Sequence, residues 1–159
     1  MLADRLTAEP LYPIIHLRDG GGSWDDENEC VKDGVELAFT HCNQRGEQYY
    51  SYLSGRCTPQ GGRHQDALRR EIVHTLNAYH GIKRRADCLC NGLVAAMSVH
   101  VKSCPTGDEQ EVWNEIVKSK YDFTMKAKQL VCDFVREELP RYLRQHPDTA
   151  ERLRTVING

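Results

Sequence analysis

Residues 57–79 read CTPQGGRHQDALRREIVHTLNAY, and residues 91–101 read NGLVAAMSVHV. The first stretch begins as a turn, Thr58-Pro59-Gln60-Gly61-Gly62, with proline preset at its second position, and delivers the chain into a helix starting near Arg63. Leu68, Ile72, Leu76 and Tyr79 recur at spacings of four, four and three, which is one apolar helical stripe, and Gly81 supplies its stop. The second stretch, Leu93 to Val101, is apolar on both faces for much of its length, as a strand in the middle of a sheet must be. Helix followed by buried strand makes this a mixed α/β chain.

Upstream, the signals are strand signals. Tyr12 to Leu17 is an apolar run after a proline, and Val35 to Thr40 alternates with period two, placing Val35, Leu37 and Phe39 on one face. Tyr49-Tyr50-Ser51-Tyr52-Leu53 predicts a third strand, entered through the turn Asn43-Gln44-Arg45-Gly46, with its tyrosines in the core. The predicted order is therefore β, β, β, α, β. Downstream the chain is helical: Val131, Phe134, Val135, Leu139, Tyr142 and Leu143 form an amphipathic stripe that Pro140 should kink or split. Pro147 then restarts a helix burying Ala150, Leu153, Val156 and Ile157.

Length and composition fit one ordinary globular domain: 159 residues, 40% hydrophobic and 28% charged. The net charge of -2 argues against a nucleic-acid-coating protein only until it is resolved by position. Residues 1–55 carry -6, residues 56–102 carry +5 and residues 103–159 carry -1. The basic third holds Lys83, Arg84 and Arg85, with Arg69 and Arg70 on the preceding helix, and these five are the candidates for phosphate contact. The acidic third holds the Gly-rich stretch 19–33, which lacks the ligand positions of an EF-hand. No run approaches the ~20 apolar residues of a membrane span, so no membrane association and a cytoplasmic location are expected.

Other groupings are poorer in chemistry. Seven scattered cysteines read as reduced thiols. Cys88 and Cys90 form a C-x-C without the second ligand pair that a zinc site needs, so no metal is expected. His41 and Cys42 are adjacent strand residues, point to opposite faces and cannot form a nucleophilic dyad with each other. Gly61-Gly62 at a helix start could present N–H groups to an anion beside Arg63, but lacks the lysine of a Walker loop.

The strings LYPIIHL, VELAFTHCNQRGEQYYSYLSG, CTPQGGRHQDALRREIVHTLNAY, NGLVAAMSVHV and VCDFVREELPRYLRQHPDTAERL, in that order, resemble the transducer domain of bacterial type IIA topoisomerase B subunits of the topoisomerase IV and gyrase family. The family turn T-x-x-G-G-T-H stands here as Thr58 to His64, with Arg63 in place of the second threonine. The resemblance implies a ribosomal protein S5 domain 2-like fold, a four-stranded antiparallel or mixed sheet with a left-handed βαβ crossover followed by C-terminal helices. It divides the chain into a transducer domain at 1–125, including a divergent switch region at 103–125, and a helical extension at 126–159.

It also implies a function: relaying ATP binding and hydrolysis to DNA strand passage, with DNA, an A-type subunit and the subunit's own ATPase domain as partners. ATP and Mg2+ would be bound only by that missing ATPase domain, and no residue of this chain is expected to be catalytic. The family's ATP-sensing lysine, in a Q-T-K loop, aligns with Lys118, whose preceding Gln and Thr are here Ile116 and Val117. Those side chains cannot hydrogen-bond a phosphate. A fragment, a split gene product or a diverged relative is expected, and the last would be a non-enzymatic S5-like module binding nucleic acid or protein without ATP coupling.

Overall fold

The computed structural model describes residues 5–6, 8–18, 33–101, 109–119 and 122–158. The acidic stretch through residue 32, Lys120 and Tyr121 lie outside them. Strands β1 (Ile15–Arg18), β2 (Gly34–His41), β3 (Gln48–Leu53) and β4 (Arg56–Cys57) precede helices α1 (Arg63–His80) and α2 (Ala86–Leu89). Strand β5 (Leu93–His100) and helices α3 (Gln110–Lys118), α4 (Asp122–Gln145) and α5 (Pro147–Asn158) complete the order.

The strands form one mixed sheet in the order β1-β2-β5-β3-β4. Strand β5 lies between β2, antiparallel, and β3, parallel, so α1 is the crossover of a β-α-β unit. Its central place explains why its sequence is apolar on both faces. The sheet has five strands rather than the four expected, because Leu53 to Arg56 closes a tight hairpin that adds the two-residue β4 at the edge. A two-residue strand has no periodicity to read.

Register assembles the core. Ile15 pairs with Phe39 and Leu17 with Leu37 across β1 and β2. Phe39, Leu37 and Val35 pair in turn with Ala95, Met97 and Val99 across β2 and β5. All of these are buried, and Leu68, Ile72 and Leu76 of α1 and Val131, Val135, Leu139 and Leu143 of α4 join them in one cluster. Helix α4 lies along α1, so the helical tail shares the sheet's core. Tyr79, expected on the stripe, is 37% exposed near the end of α1.

Two expectations give way to packing. Period-two alternation sends Ser51 and Leu53 of β3 to the core and turns Tyr50 and Tyr52 to the opposite face of the sheet. There Arg5 lies 4.9 Å over the Tyr50 ring and donates to the Tyr52 hydroxyl at 3.1 Å. Pro140 neither splits nor ends α4, which runs unbroken from Asp122 to Gln145. Leu139 and Leu143 on either side of it are fully buried, and that packing holds the helix across the donor proline lacks.

Candidate functional site

Three polar arrangements set the geometry. At the β2 end, His41 Nε2 lies 2.7 Å from the Leu89 carbonyl, which can only accept, so Nε2 carries the proton and Nδ1 accepts from the Tyr12 hydroxyl at 2.6 Å. Burial lowers the His41 pKa, so the neutral ring acts as a tie between β2, the N-terminal segment and α2. Cys42 faces the other way, in a separate small cluster with Val94, as the strand argument required. Among the described residues no three His, Cys, Asp or Glu side chains group to hold a metal ion. Cys88 is exposed and Cys90 buried.

A second arrangement stiffens the turn before α1. Thr58 is buried, and its Oγ1 donates to the Ser51 carbonyl at 3.0 Å. That spends its one proton, so His64 Nε2, at 3.0 Å, must be the donor to Thr58 Oγ1. Burial lowers the His64 pKa to about 4, and the ring stays neutral. Gly62 follows from this closeness. Its φ is +144°, and a Cβ there would stand 2.9 Å from His64 Cε1 and 3.2 Å from the Val117 carbonyl oxygen. Only glycine fits.

The third arrangement is the one that reaches solvent. Helix α3, which falls in the divergent switch region expected at 103–125, docks by burying Trp113 and Val117, with Ile116 packed at the edge and Trp113 stacked on Phe123 at 6.4 Å. Arg56 lies 5.2 Å over the Trp113 ring. The apolar residues that displace the expected Gln-Thr pair are thus the docking face of a helix, which explains their chemistry. The end of α3 is fixed by Ser119. Its carbonyl accepts from Arg63 Nε at 3.2 Å and from Thr124 Oγ1 at 2.9 Å, while its own hydroxyl donates to the Ile116 carbonyl at 2.6 Å.

Lys118, the last residue of α3, is therefore carried to the Gly61-Gly62 turn, and its Nζ donates to Gln60 Oε1 at 2.8 Å. Gln60, Gly62, Arg63, Asp66 and Lys118 line an open cavity of about 360 Å3 at the N-terminus of α1. Gly62 is the N-cap and offers no side chain to the first turn. Partial positive charge from the helix end, Arg63 and Lys118 outweigh the Asp66 carboxylate, so the cavity is suited to an anion. Lys118 and Gly62 are separate signals in the sequence, 56 positions apart, and only the fold brings them together.

The basic candidates are dispersed. Arg69 is committed inward: Nε and Nη2 bind the Glu47 carboxylate at 2.8 and 3.1 Å, and Nη2 also reaches Asp87 at 3.2 Å. Arg84 is half-buried, exchanges two bonds with the Asn77 side chain through its backbone N–H and C=O, and its guanidinium donates to the Asn158 carbonyl at the end of α5. Arg70 is more exposed, with Nη2 3.7 Å from Cys132 Sγ. Lys83 and Arg85 project outward, Arg85 with a loose 3.8 Å pairing to Asp87. Inside the α1–α4 seam, Glu71 is 2% exposed and accepts two bonds of 2.9 Å from Arg136. Burial pushes this carboxyl up, but the Arg136 bonds outweigh it and hold it below its ordinary 4.5.

Comparison with known proteins adds the following. A family model described as DNA gyrase B matches residues 22–158. Over 68 residues, 43% of this chain and 11% of the relative, the sequence is 37% identical to the B subunit of DNA topoisomerase 4 from Borreliella burgdorferi. The structure is similar to the 43K ATPase domain of Thermus thermophilus gyrase B, solved in complex with an aminocoumarin, with a TM-score of 0.71 and 22% identity over 98% of this chain. It is also similar to the topoisomerase IV ATP-binding domain of Francisella tularensis, solved with a small-molecule inhibitor, with a TM-score of 0.63 and 23% identity over 99% of this chain. In both cases the chain spans 40% of the solved structure. At these identities the likeness shows the fold, which is the S5 domain 2-like fold.

Proposed function

The chain belongs to the DNA gyrase B family, and from that premise we propose that it acts as the transducer part of a type II topoisomerase B subunit, coupling ATP binding and hydrolysis in a separate ATPase domain to DNA strand passage. The supporting observation is the convergence of Lys118 on the glycine turn at the N-terminus of an 18-residue helix. That helix is packed along its length against the sheet and α4, so a shift at its charged end is transmitted to the core as a rigid-body movement. In this reading Lys118 is the ATP-sensing residue. Its ammonium meets the terminal phosphate as a point charge that needs no bidentate geometry. ATP and Mg2+ are held by the ATPase domain, and the A-type subunit supplies DNA cleavage. DNA is the charged partner of the outward-facing Lys83, Arg85 and Arg70, while Arg69 and Arg84 shape that face from within. Among the described residues no helix is long and apolar enough to cross a membrane.

Mixing the chain with a cognate ATPase domain should raise ATP turnover, and Lys118→Ala should abolish the gain. Equal stimulation by the variant would remove Lys118 from the role. One observation favours a second reading, an S5-like module without ATP coupling: Ile116 and Val117 are spent on docking α3 and leave Lys118 without polar neighbours immediately before it. Failure of the wild-type chain to stimulate, together with salt-dependent retention on DNA, would select that reading.

A further inference from the structure

We infer that Gln60 is the positioning residue for Lys118, an inference that rests on the ATP-sensing reading of that lysine. An exposed lysine at the end of a helix, with Ile116 and Val117 immediately before it, samples many rotamers, and ordering it costs up to ~2 kcal/mol of side-chain entropy. The structure supplies the missing restraint from another element. Gln60 sits on the turn that Thr58 and His64 stiffen from below, and its Oε1 accepts from Lys118 Nζ at 2.8 Å. Both ends of this bond are anchored. The turn is fixed by the Thr58–Ser51 and Thr58–His64 bonds, and the α3 terminus by Ser119 and Arg63.

The bond is suited to positioning rather than neutralisation. An amide oxygen takes one of the three ammonium protons and leaves the charge whole, so two donors stay available for phosphate oxygens while the first remains on Gln60. A carboxylate in the same place would hold the lysine more firmly and compete with the anion. Gln60 is exposed and makes no core contact, so its removal leaves the fold intact. Its role is therefore separable from structure.

The test has two arms. On the full 159-residue chain, acylation of individual lysines by an N-hydroxysuccinimide ester is followed by mass spectrometry. Gln60→Ala should raise the rate at Lys118 by about 3-fold, the loss of one exposed hydrogen bond, with Lys83 and Lys126 unchanged, and Gln60→Glu should lower it. In ATP turnover with the ATPase domain supplied, Gln60→Ala should reduce the stimulated rate by a similar factor, and Gln60→Ala/Lys118→Ala should match Lys118→Ala alone. Gln60→Asn, whose shorter amide cannot reach, should behave as Gln60→Ala. Full stimulation by Gln60→Ala alongside an inactive Lys118→Ala would overturn the positioning role and leave the sensing role standing. A Lys118→Ala variant that stimulates normally would overturn both.

Discussion

The two ends of α1 use the same kinds of residues for different purposes. At its N-terminus the polar groups are layered: Thr58 and His64 are buried and bonded to each other, and above them Gln60, Arg63 and Lys118 surround an open cavity. At its C-terminus, where the sequence is most basic, the layering is absent. The Asn77 side chain takes both backbone bonds of Arg84, and the Arg84 guanidinium closes onto the end of α5. Charge that is conspicuous in sequence is thus partly consumed holding loops together, whereas the exposed charge with a rigid foundation is a lone lysine far along the chain from the turn it joins.

The strongest way to break this contrast is to disturb the foundation at the N-terminal end. The buried His64 has a pKa of about 4 against an ordinary 6.5, so below pH 6.5 the unfolded chain binds the proton and the folded chain does not. Stability is therefore lost as pH falls from 6.5 towards 4, by up to ~3 kcal/mol in total. His64→Gln keeps a donor for Thr58 but has nothing to titrate, so its acid limb should be shallower than the parent's by this contribution, leaving the limb that His41, His80 and His100, all lowered by burial, still produce. Urea melts of the two proteins at half-unit pH steps measure this directly. Parallel acid limbs would mean that the ring opens to water and that the turn lacks the rigidity assigned to it.

A smaller effect is expected from the rod that joins the two ends. With Arg136 in place, the Glu71 carboxyl is held below 4.5 and its contribution is lost only as pH falls through that range. In Arg136→Ala only the Cys132 hydrogen bond and the Arg70 charge are left to offset the burial of Glu71, which is the largest single influence on it, and its pKa should rise above 4.5. The sign then reverses: the folded chain holds the proton more tightly than the unfolded one, and stability falls as pH rises past 4.5. The variant should lose a few degrees of melting temperature at about pH 7 and much less at about pH 4. Equal losses at both would assign the cost to lost packing of the arginine stem.

Much of this architecture is legible in the sequence because period and punctuation agree. The turn at Thr58 to Gly62, the stripe of Leu68, Ile72 and Leu76 and the stop at Gly81 place α1 from near Arg63 up to Gly81, where it is found. Pro147 likewise opens α5. What is not legible depends on partners distant in sequence. In Gln110 to Lys118 the helical spacing of Val112, Trp113, Ile116 and Val117 is legible, against the divergent switch region expected there, but the core on which it docks is not. The tyrosines of β3 divide between faces by the strand's own alternation, and what the sequence does not show is that Arg5 of the N-terminal segment meets Tyr50 and Tyr52 on the outer face. The Lys118–Gln60 contact joins two weak local signals that become informative only when the fold superimposes them.

The smallest expected effect concerns the C-terminal end, and it separates exposed charge from consumed charge. Lys83 and Arg85 face solvent, and surface substitutions away from packed features change stability by no more than ~0.5 kcal/mol. Lys83→Ala/Arg85→Ala should therefore melt like the parent. If this face meets DNA phosphates as proposed, the pair should release about two fewer counterions, and the slope of log affinity against log salt should shrink by about 2. Arg84→Ala should do the reverse. It should leave the salt slope nearly unchanged, because its guanidinium is already occupied by the Asn158 carbonyl, and should loosen the last turn of α5, seen as faster amide exchange from Val156 to Asn158. Filter binding of duplex DNA from about 25 to about 200 mM salt, over which the Debye length falls roughly threefold, distinguishes the two. A larger slope change for Arg84→Ala than for the double variant would show that the α5 contact yields to phosphate, and that the two ends of α1 present their charge in the same way after all.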